Sequence, residues 1–428
     1  MHIGIVIPFF AKCHGYGGAE RIGACLANAM CKRGVMVTVF ARQSKTMELM
    51  YPLESAINIC WYSHQDTHSN ISALRTDLKR RGLDVCVVMD SYASQLFWAV
   101  TLLGTGIPYV YSEHNCPQRV EEHWSRAGRL AAMSGADVIH LLLESYKESL
   151  PAFLQGRAVC IPNPEPAFQF AMPPVPVAER EPILCSLGRL CEVKQLPLLI
   201  EAFGLIHARF PEWKLEIWGD GPDEKKLRSL VSASPARERI RLCGGTSDVA
   251  AALGRASVFV IPSRHEGLPN SVLEAMACAT PVVGFAGCPG VNSVVVNGKN
   301  GLLAPSMTSA SLAEALAGIM QDASLRDDLS KNCPALLQEY RPERVCGLWE
   351  EALYAAASRK GATQMDAFSQ EPFASMARLS AMARREFLFR DFGEPWPGTI
   401  AWGLKGLRKR LERFVRQVKA TVPFFKGS

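Results

Sequence analysis

Residues 258–286 have the sequence VFVIPSRHEGLPNSVLEAMACATPVVGFA, in which two apolar runs flank a polar loop and a helix-like segment. The first apolar run ends at Ile261, the loop carries Glu266, and a helix is predicted to begin near Pro269 or Asn270. Short apolar runs joined by helices are typical of a parallel sheet that is covered on both faces. This stretch therefore predicts a strand–helix–strand unit of an α/β protein.

The same alternation of apolar runs and helix-length segments fills two halves of the chain. A Pro-rich segment, NPEPAFQFAMPPVPVAEREP, separates them and is interpreted as a linker. The pattern predicts two doubly wound halves that form a cleft, with ligands at the carboxyl ends of the strands. The expected parts are an N-terminal Rossmann-like domain at 1–165, a linker at 166–182, a C-terminal Rossmann-like domain at 183–340, a closing helix at 341–359 and an extension at 360–428.

Composition excludes several classes of protein. With 428 residues, 48% of them hydrophobic and 21% charged, the chain is not disordered, collagenous or a coiled coil. Its 14 cysteines include no C-x-x-C pair, which favours reduced thiols in the cytoplasm. The apolar stretch at 96–111 is interrupted by glycine and proline and predicts a buried helix followed by a buried strand. The N-terminal MHIGIVIPFF lacks the features of a signal peptide, so a cytoplasmic location is expected.

The positive charge is concentrated at the C-terminus. Residues 401–428 carry a net charge of +7, and the other 400 residues sum to −1. Leucine, phenylalanine and valine recur there at three- and four-residue steps between Lys and Arg, which predicts a basic amphipathic helix. Contact with an anionic membrane is the favoured interpretation, and a helix packed on the body is the alternative. No nucleic-acid partner is expected, because no recognised reader motif accompanies the stretch.

Two glutamates of the first stretch, Glu266 and Glu274, lie eight residues apart, one before the predicted helix and one inside it. In a chain with 41 acidic residues, such a pair is usually part of a solvated helix face. Glu274, however, has apolar neighbours on both sides, and a carboxylate in a buried position needs a partner. Gly267 and Pro269 suit a helix start whose free N–H groups attract phosphate.

Three further loops carry candidate ligand-binding residues. LGRLCEVKQ places Arg189 and Lys194 directly after a strand, which fits a diphosphate clamp, although such a loop alone is more often a solvated basic loop. YVYSEHNCP places Glu113 and His114 at the carboxyl end of a strand, where a lone His is more often structural. GYGGAER, residues 15–21, lacks the full G-x-G-x-x-G spacing, so no nicotinamide or flavin cofactor is expected.

Together these blocks resemble the glycosyltransferase family 4 pattern on the GT-B fold, over roughly Met1 to Arg359. The E-x7-E block HEGLPNSVLE, followed by AMACATPVV, carries the most specific part of the likeness. GRLCEVKQ, IWGDGP, GGAER and NGLLAP support it, in the expected order. The resemblance implies an α/β GT-B protein with two doubly wound Rossmann-like domains facing a cleft, the first for the acceptor and the second for the donor, plus a C-terminal helical extension.

The resemblance also implies roles for single residues. Arg189 and Lys194 would hold the donor diphosphate, and Glu266 would meet the hydroxyls of the transferred sugar. Glu274 would bind the nucleotide ribose, and His114 would lie near the reacting centre. The remaining implied donor-binding residues, which are glycines and members of one loop, are Gly17, Gly18, Gly219, Gly267, Leu268, Pro269 and Asn270.

The reaction implied is transfer of a hexose or N-acetylhexosamine, with retention of anomeric configuration, from a nucleotide sugar that is expected to carry UDP. The acceptor would be a lipid-linked saccharide, lipopolysaccharide or polysaccharide. No cofactor and no metal ion are expected, and the chain lacks the D-x-D triplet of metal-dependent GT-A transferases. Leu268, Pro269 and Asn270 stand where many members have Phe-Gly, so the donor sugar stays open. The Asn270 amide either binds a hydroxyl or caps the helix.

Two alternatives remain beside the transferase. A nucleotide-sugar epimerase of the same fold would act on the donor alone, but the GRLCEVKQ block and the His114 loop disfavour it. A non-catalytic scaffold would have kept only the fold, and the four intact polar residues Arg189, Lys194, Glu266 and Glu274 speak against it.

Overall fold

The structure is a computed structural model that describes residues 1–11, 17–63, 68–90, 93–124, 126–165 and 175–360. The chain forms two compact units. Of the described residues, unit 1 contains those within Met1–Cys160 and residues 348–360, and unit 2 contains those within Ile161–Gly347.

Unit 1 is built on a parallel sheet of seven strands in the order β3-β2-β1-β4-β5-β6-β7. The strands are β1 His2–Val6, β2 Met36–Arg42, β3 Asn58–Tyr62, β4 Val85–Val88, β5 Tyr109–Ser112, β6 Val138–Leu141 and β7 Ala158–Cys160. The helices that connect them are α1 Gly18–Lys32, α2 His68–Arg81, α3 Ala93–Leu102, α4 Pro117–His123, α5 Arg126–Ser134 and α6 Ala152–Gln155.

The central strands of unit 1 follow the continuous apolar runs of the sequence, since β4, β5 and β6 are buried at every position. The expected buried helix and strand within residues 96–111 are confirmed as α3 and β5. The strand β3 was not expected from the sequence. It lies at the sheet edge, its first two residues are exposed, and buried and exposed residues do not alternate regularly along it. Its sequence NICWY therefore gives no continuous apolar run.

Unit 2 is built on a parallel sheet of six strands in the order β10-β9-β8-β11-β12-β13. The strands are β8 Glu181–Leu187, β9 Lys214–Trp218, β10 Ile240–Gly244, β11 Ala256–Ile261, β12 Val282–Phe285 and β13 Gly301–Ala304. The helices are α7 Leu196–Ile206, α8 Glu224–Ala233, α9 Val249–Arg255, α10 Asn270–Ala277, α11 Pro289–Asn292, α12 Ser309–Gln321 and α13 Ala323–Asn332, followed by α14 Pro342–Ala357.

Each sheet has one place where the strand order reverses. In unit 1 the chain proceeds from β1 outward through β2 and β3, then returns to β4 on the other side. In unit 2 the same change of direction occurs between β8 and β11. Loops diverge at such a switch point and leave a crevice at the carboxyl ends of the two strands, where ligands of α/β proteins bind. The sequence prediction of two doubly wound Rossmann-like sheets is confirmed.

Two segments outside the two sheets differ from or add to the sequence prediction: the linker and the helix α14. The strand β8 starts at Glu181, within the predicted linker, and residues 166–174 of that linker lie outside the described residues. The helix α14 contains the division between the units, and its second half is attached to unit 1. Glu350 accepts a hydrogen bond from Arg33 at 2.6 Å, and the Trp349 ring lies 4.5 Å from the His140 ring.

The predicted basic amphipathic helix at 401–428 lies outside the described residues, as does the rest of 361–428. In the part of the chain that is described, no helix has the length and apolar character needed to span a bilayer. The described cysteines are free thiols.

Candidate functional site

A small pocket opens at the switch point of unit 2, above the carboxyl ends of β8, β9 and β11. Two of the predicted diphosphate ligands, Arg189 and Lys194, line it. The polar and glycine residues around it are Ser186, Gly188, Arg189, Lys194 and Ser263, and the Trp218 ring forms part of its wall. A crevice with two cations at a switch point is suited to an anionic ligand.

Lys194 and Glu266 form an ion pair at the pocket. The Lys194 Nζ donates to Glu266 Oε1 at 2.6 Å, and the two side chains are 21% and 13% exposed. Burial disfavours the charged ammonium, but the neighbouring carboxylate outweighs that effect and raises the pKa of Lys194 above its ordinary value. The sequence-predicted diphosphate ligand and the predicted sugar ligand are therefore brought together.

Arg189 is the second cation of the pocket and is exposed. Among the described residues its guanidinium forms no ion pair, so its charge is available to a ligand. The buried hydroxyl of Ser263 also lines the pocket and has no hydrogen-bond partner within the described part of the chain. A buried hydroxyl without a partner is costly, and a bound ligand would satisfy it.

The loop that carries Arg189 depends on a close approach between two backbones. Gly219 has φ 132° and packs so tightly on Gly188 that a Cβ there would overlap the Gly188 carbonyl oxygen. Glycine alone fits such a contact. Farther along, Gln195 has φ 45° and turns the chain from Lys194 into α7. The structure thus gives Gly219, a predicted donor-binding residue, a packing role next to the pocket.

The helix α10 begins at Asn270, as predicted, with Pro269 at its N-cap position. Leu268, Pro269 and Gly267 are buried before it, and Glu274 is buried on it at 4% exposed. The alternative that Asn270 caps the helix is wrong, because Pro269 is the N-cap residue and Asn270 Oδ1 accepts a hydrogen bond from Asn163. The N–H groups of the first turn carry the positive end of the helix dipole, and the loop of Glu266 directly precedes this turn in the sequence.

Two residues outside the predicted set hold this loop in place. The Asn163 amide nitrogen donates to the Leu268 carbonyl at 3.2 Å and to Asn270 Oδ1 at 2.9 Å. Gly290, in α11, packs directly on Glu266, since a Cβ on Gly290 would lie 2.6 Å from the Glu266 carbonyl oxygen and 2.9 Å from its Cβ. The position of Glu266 is therefore set by contacts with its backbone as well as by Lys194.

In unit 1, Gly17 and Gly18 lie at the start of α1, which follows β1 at the switch point. Gly17 is the N-cap residue, and its carbonyl accepts a hydrogen bond from the Tyr51 hydroxyl at 3.2 Å. A Cβ on Gly17 would overlap the Glu20 carboxylate, which packs against the helix start. A carboxylate there competes with phosphate for the same positive helix end.

His114 follows β5 and belongs to a hydrogen-bonded chain of three side chains. Its Nε2 lies 3.0 Å from the Ser112 hydroxyl, which lies 2.8 Å from His140 Nδ1. Its Nδ1 is buried and has no hydrogen-bond partner within the described residues. Burial, reinforced by the nearby His140, lowers the pKa of His114 to about 3, so the ring is neutral at physiological pH.

Glu113, next to His114, has a structural partner. Arg129 donates to both of its carboxylate oxygens at 2.7 to 3.0 Å, and both side chains are buried. Burial opposes the charge of Arg129, but Glu113 outweighs it and raises the pKa of the guanidinium. A buried bidentate pair of this kind fixes the end of β5.

The structure therefore groups the predicted residues into two sets. In unit 2, Arg189 and Lys194 share a pocket, and Lys194 is joined to Glu266 on the loop that leads to α10. In unit 1, the neutral His114 ring is hydrogen-bonded to Ser112 at the end of β5, and Gly17 and Gly18 lie at the start of α1. Residues that the sequence did not single out are Ser112, His140, Asn163, Trp218, Ser263 and Gly290. Within the described residues, no three His, Cys, Asp or Glu side chains form a group that could hold a metal ion.

The fold and the two sites define a class, the GT-B glycosyltransferases. Two family profiles match the chain, Glycosyltransferase Family 4 over residues 16–164 and Glycosyl transferases group 1 over residues 168–335. Together they cover every strand of both sheets except β1, which precedes residue 16. The chain belongs to the family 4-like glycosyltransferases.

Individual relatives support this assignment. An uncharacterized glycosyltransferase of Haemophilus influenzae is 27% identical over 354 residues, which cover 81% of this chain and 98% of that protein. The lipopolysaccharide core biosynthesis glycosyltransferase LpsE of Rhizobium meliloti is 35% identical over 150 residues, or 35% of this chain and 43% of that protein. The structure of Anabaena Alr3699/HepE in complex with UDP and glucose matches with a TM-score of 0.67 and 16% identity, over 82% of this chain and 99% of that one.

Proposed function

We propose that this protein is a retaining glycosyltransferase that moves a hexose or N-acetylhexosamine from a UDP-sugar to a lipid-linked saccharide, lipopolysaccharide or polysaccharide. The observation that carries the proposal is the Lys194–Glu266 pair at 2.6 Å beside the exposed Arg189. This pair supports the proposal because two cations suited to a diphosphate line one pocket, and a carboxylate suited to sugar hydroxyls lies on the adjoining loop.

The chemistry of transfer needs both signs of charge. As the glycosidic bond to the diphosphate breaks, negative charge grows on the leaving phosphate and positive charge on the sugar ring. We assign the first charge to Arg189, Lys194 and the N–H groups at the start of α10. The carboxylate of Glu266 binds the sugar and stabilises its positive charge. Because these groups supply the positive charge at the diphosphate, the proposed reaction proceeds without a metal ion.

The other proposed donor contacts keep the roles that the family resemblance implies. Glu274 binds the ribose hydroxyls. The loop of Gly267, Leu268, Pro269 and Asn270 gives backbone donors to the sugar and the phosphate from its three residues other than proline, because the proline nitrogen carries no hydrogen. Ser263 adds a hydroxyl to the pocket. His114 acts in turnover as a neutral ring that donates or accepts one hydrogen bond, because a pKa of about 3 leaves it uncharged at pH 7.

The identity of donor and acceptor is supported by related proteins. Alr3699/HepE was solved with UDP, with UDP and glucose, and with UDP-glucose, and pneumococcal GtfA with UDP and GlcNAc. LpsE takes its name from lipopolysaccharide core biosynthesis. These names favour a UDP-sugar and a bacterial surface saccharide for the present chain.

The test combines binding and turnover. The melting temperature is measured with a panel of nucleotides and nucleotide sugars, with and without EDTA, because a ligand at 100 times its dissociation constant adds about 2.7 kcal/mol of stability. Stabilisation by one UDP-sugar that survives EDTA and is lost in Arg189→Ala supports the metal-free site. Proton NMR of the product then gives the anomeric configuration, and an inverted product contradicts retention.

The same assay separates the alternatives. An epimerase converts the donor in the absence of any acceptor, so a new nucleotide sugar appears when the donor is incubated alone. A scaffold shows no response to any nucleotide. Either result removes the transferase proposal.

We also propose that residues 401–428 bring the protein to an anionic membrane surface where a lipid-linked acceptor resides. The net charge of +7 and the amphipathic spacing of this segment support the proposal. Deletion of 401–428 is expected to weaken binding to vesicles that contain phosphatidylglycerol and to leave donor binding intact. Equal vesicle binding by the full-length and truncated proteins contradicts it.

A further inference from the structure

The donor loop is held by a pair of asparagines that come from distant parts of the sequence. Asn163 follows β7 by three residues and is 4% exposed, and Asn270 is the first residue of α10. The Asn163 Nδ2 donates to the Leu268 carbonyl at 3.2 Å and to Asn270 Oδ1 at 2.9 Å. One amide group therefore holds both the backbone and the side chain of the loop.

The backbone contact fixes the orientation of both amides. A carbonyl oxygen only accepts hydrogen bonds, so the Asn163 atom that faces Leu268 must be the nitrogen. The same nitrogen has a second hydrogen, which points to the Asn270 side chain. Asn270 must receive it through its oxygen, since its own nitrogen cannot accept.

The contact with Asn163 leaves the Asn270 Nδ2 group as a hydrogen-bond donor of fixed orientation at the loop. The Asn270 oxygen accepts one hydrogen bond from Asn163, and the Asn270 Nδ2 group donates no hydrogen bond within the described residues. Its side chain is half-buried. The Oδ1 of Asn163 is buried and likewise without a partner in the described part of the chain.

We propose that Asn163 is a positioning residue that orients Asn270 so that the Asn270 Nδ2 donates a hydrogen bond to an oxygen of the nucleotide-sugar donor. The inference rests on the proposed function and deepens it. An N–H group selects an acceptor oxygen, which on this donor is either a β-phosphate oxygen or an oxygen of the transferred sugar. The sequence Leu268-Pro269-Asn270 thereby becomes a specificity element of this chain.

The test uses isosteric variants that change one atom of the pair. Asn270→Asp keeps the oxygen that Asn163 contacts and removes the proposed donor. Asn163→Asp keeps the shape and removes the nitrogen that holds Asn270. Asn163→Ala, Asn270→Ala and the double variant complete a mutant cycle. Asn332→Asp is the matched control, because Asn332 is an exposed asparagine of unit 2 whose nitrogen also donates to backbone carbonyls.

Binding of UMP, UDP and the UDP-sugar that stabilises the wild-type protein is measured by calorimetry. The loss of one donated hydrogen bond is expected to weaken binding about 5-fold, and by more where the acceptor is charged. If UDP and the UDP-sugar both bind more weakly and UMP binding is unchanged, the acceptor of the Asn270 hydrogen bond is the β-phosphate. If only the UDP-sugar binds more weakly, the acceptor is an oxygen of the sugar. Because Asn163 acts through Asn270, Asn163→Ala is expected to weaken UDP-sugar binding by a smaller factor in the Asn270→Ala background than in the wild type.

Two results overturn the inference. Unchanged affinities in Asn163→Asp and Asn270→Asp exclude a donated hydrogen bond. Equal losses for UMP, UDP and the UDP-sugar, together with a lower melting temperature of the unliganded variants, show a structural role only. If the wild-type protein binds none of the three ligands, the proposed function itself fails and the inference fails with it.

Discussion

The carboxyl ends of the two parallel sheets carry opposite kinds of polar cluster. In unit 2 the cluster is charged and partly open, with Arg189 exposed and the Lys194–Glu266 pair at 2.6 Å. In unit 1 the His114 ring is neutral, since its pKa is about 3, and it shares the Ser112 hydroxyl with His140, while the neighbouring Glu113 charge is already paired with Arg129. The same α/β scaffold thus supports two chemical environments.

The difference separates two tasks. Charged groups in a crevice bind a charged ligand strongly, and the diphosphate is the charged part of the proposed donor. A neutral imidazole can add a hydrogen bond without adding charge, so it does not attract a diphosphate as a cation does. Variants in unit 2 are therefore expected to change donor binding and turnover, whereas His114 is expected to influence acid stability as well.

The largest effect is expected for Glu266→Gln. Loss of the carboxylate removes the group that we assign to the positive charge on the sugar, and removal of one preorganised electrostatic contact costs about 100- to 1,000-fold in turnover. Steady-state kinetics with the UDP-sugar measure kcat, and Glu201→Gln, an exposed glutamate of α7, is the control. A kcat within 3-fold of wild type, where about 100-fold is predicted, removes Glu266 from the reaction.

Gly290→Ala is expected to have the next largest effect. The new methyl would lie 2.6 Å from the Glu266 carbonyl oxygen and would shift the carboxylate loop. Because a displacement of 1 Å can cost about 100-fold in rate, kcat is expected to fall about 30-fold. Gly318→Ala has open space around its Cβ and is the control. Equal activities of the two variants would show that the Gly290 contact does not position Glu266.

The neutral His114 ring predicts that the stability of the folded protein depends on pH. The pKa of His114 falls from an ordinary 6.5 to about 3 on folding, so the unfolded chain binds a proton between these values and the folded protein does not. Stability is then lost as the pH falls below 6.5, by up to 1.4 kcal/mol per pH unit. Between pH 6.5 and pH 5 the wild-type protein is expected to lose about 1–2 kcal/mol more than His114→Gln.

Urea unfolding at the two pH values measures that difference. His123→Gln, at an exposed histidine of α4, is the matched control and is expected to follow the wild type. Identical pH dependence in His114→Gln and the wild type would mean that His114 titrates normally in the folded protein.

Ser263→Ala is expected to give the smallest effect, with opposite signs for stability and binding. Removal of a buried hydroxyl that has no partner within the described residues leaves the melting temperature unchanged or raises it. The same change weakens UDP-sugar binding about 5-fold if the hydroxyl contacts the ligand. Ser229→Ala, at an exposed serine of α8, should change neither value. A lower melting temperature with unchanged affinity contradicts the assignment.

The sequence predicted most of the fold because the central strands are continuous apolar runs, as in VCVV of β4 and VFVI of β11. The edge strand β3 was missed, since an edge strand with exposed residues has no such run. The start of α10 at Asn270 was also predictable, because proline and glycine mark a helix start.

The candidate site was predictable only where residues are close in sequence or belong to a family motif. Arg189 and Lys194 belong to the block GRLCEVKQ, and Glu266 belongs to the block HEGLPNSVLE, so these three residues could be predicted. The contact between Ser112 and His140 arises from the pairing of β5 with β6, in which these two residues are register partners. The sequence signal for this contact was His140, a polar residue inside the apolar run DVIHLLL. Asn163 and Gly290 act through packing across the fold, and no local pattern indicates such contacts.

We propose above all that unit 2 binds the donor diphosphate through its own cations, Arg189 and Lys194. Calorimetry of UDP-sugar binding in EDTA tests it most directly, with wild type, Arg189→Ala and the exposed control Arg237→Ala. We expect the wild type and Arg237→Ala to bind the UDP-sugar, and Arg189→Ala to bind it at least about 10-fold more weakly. Equal affinity in all three proteins, or binding by the wild type that EDTA abolishes, would contradict it.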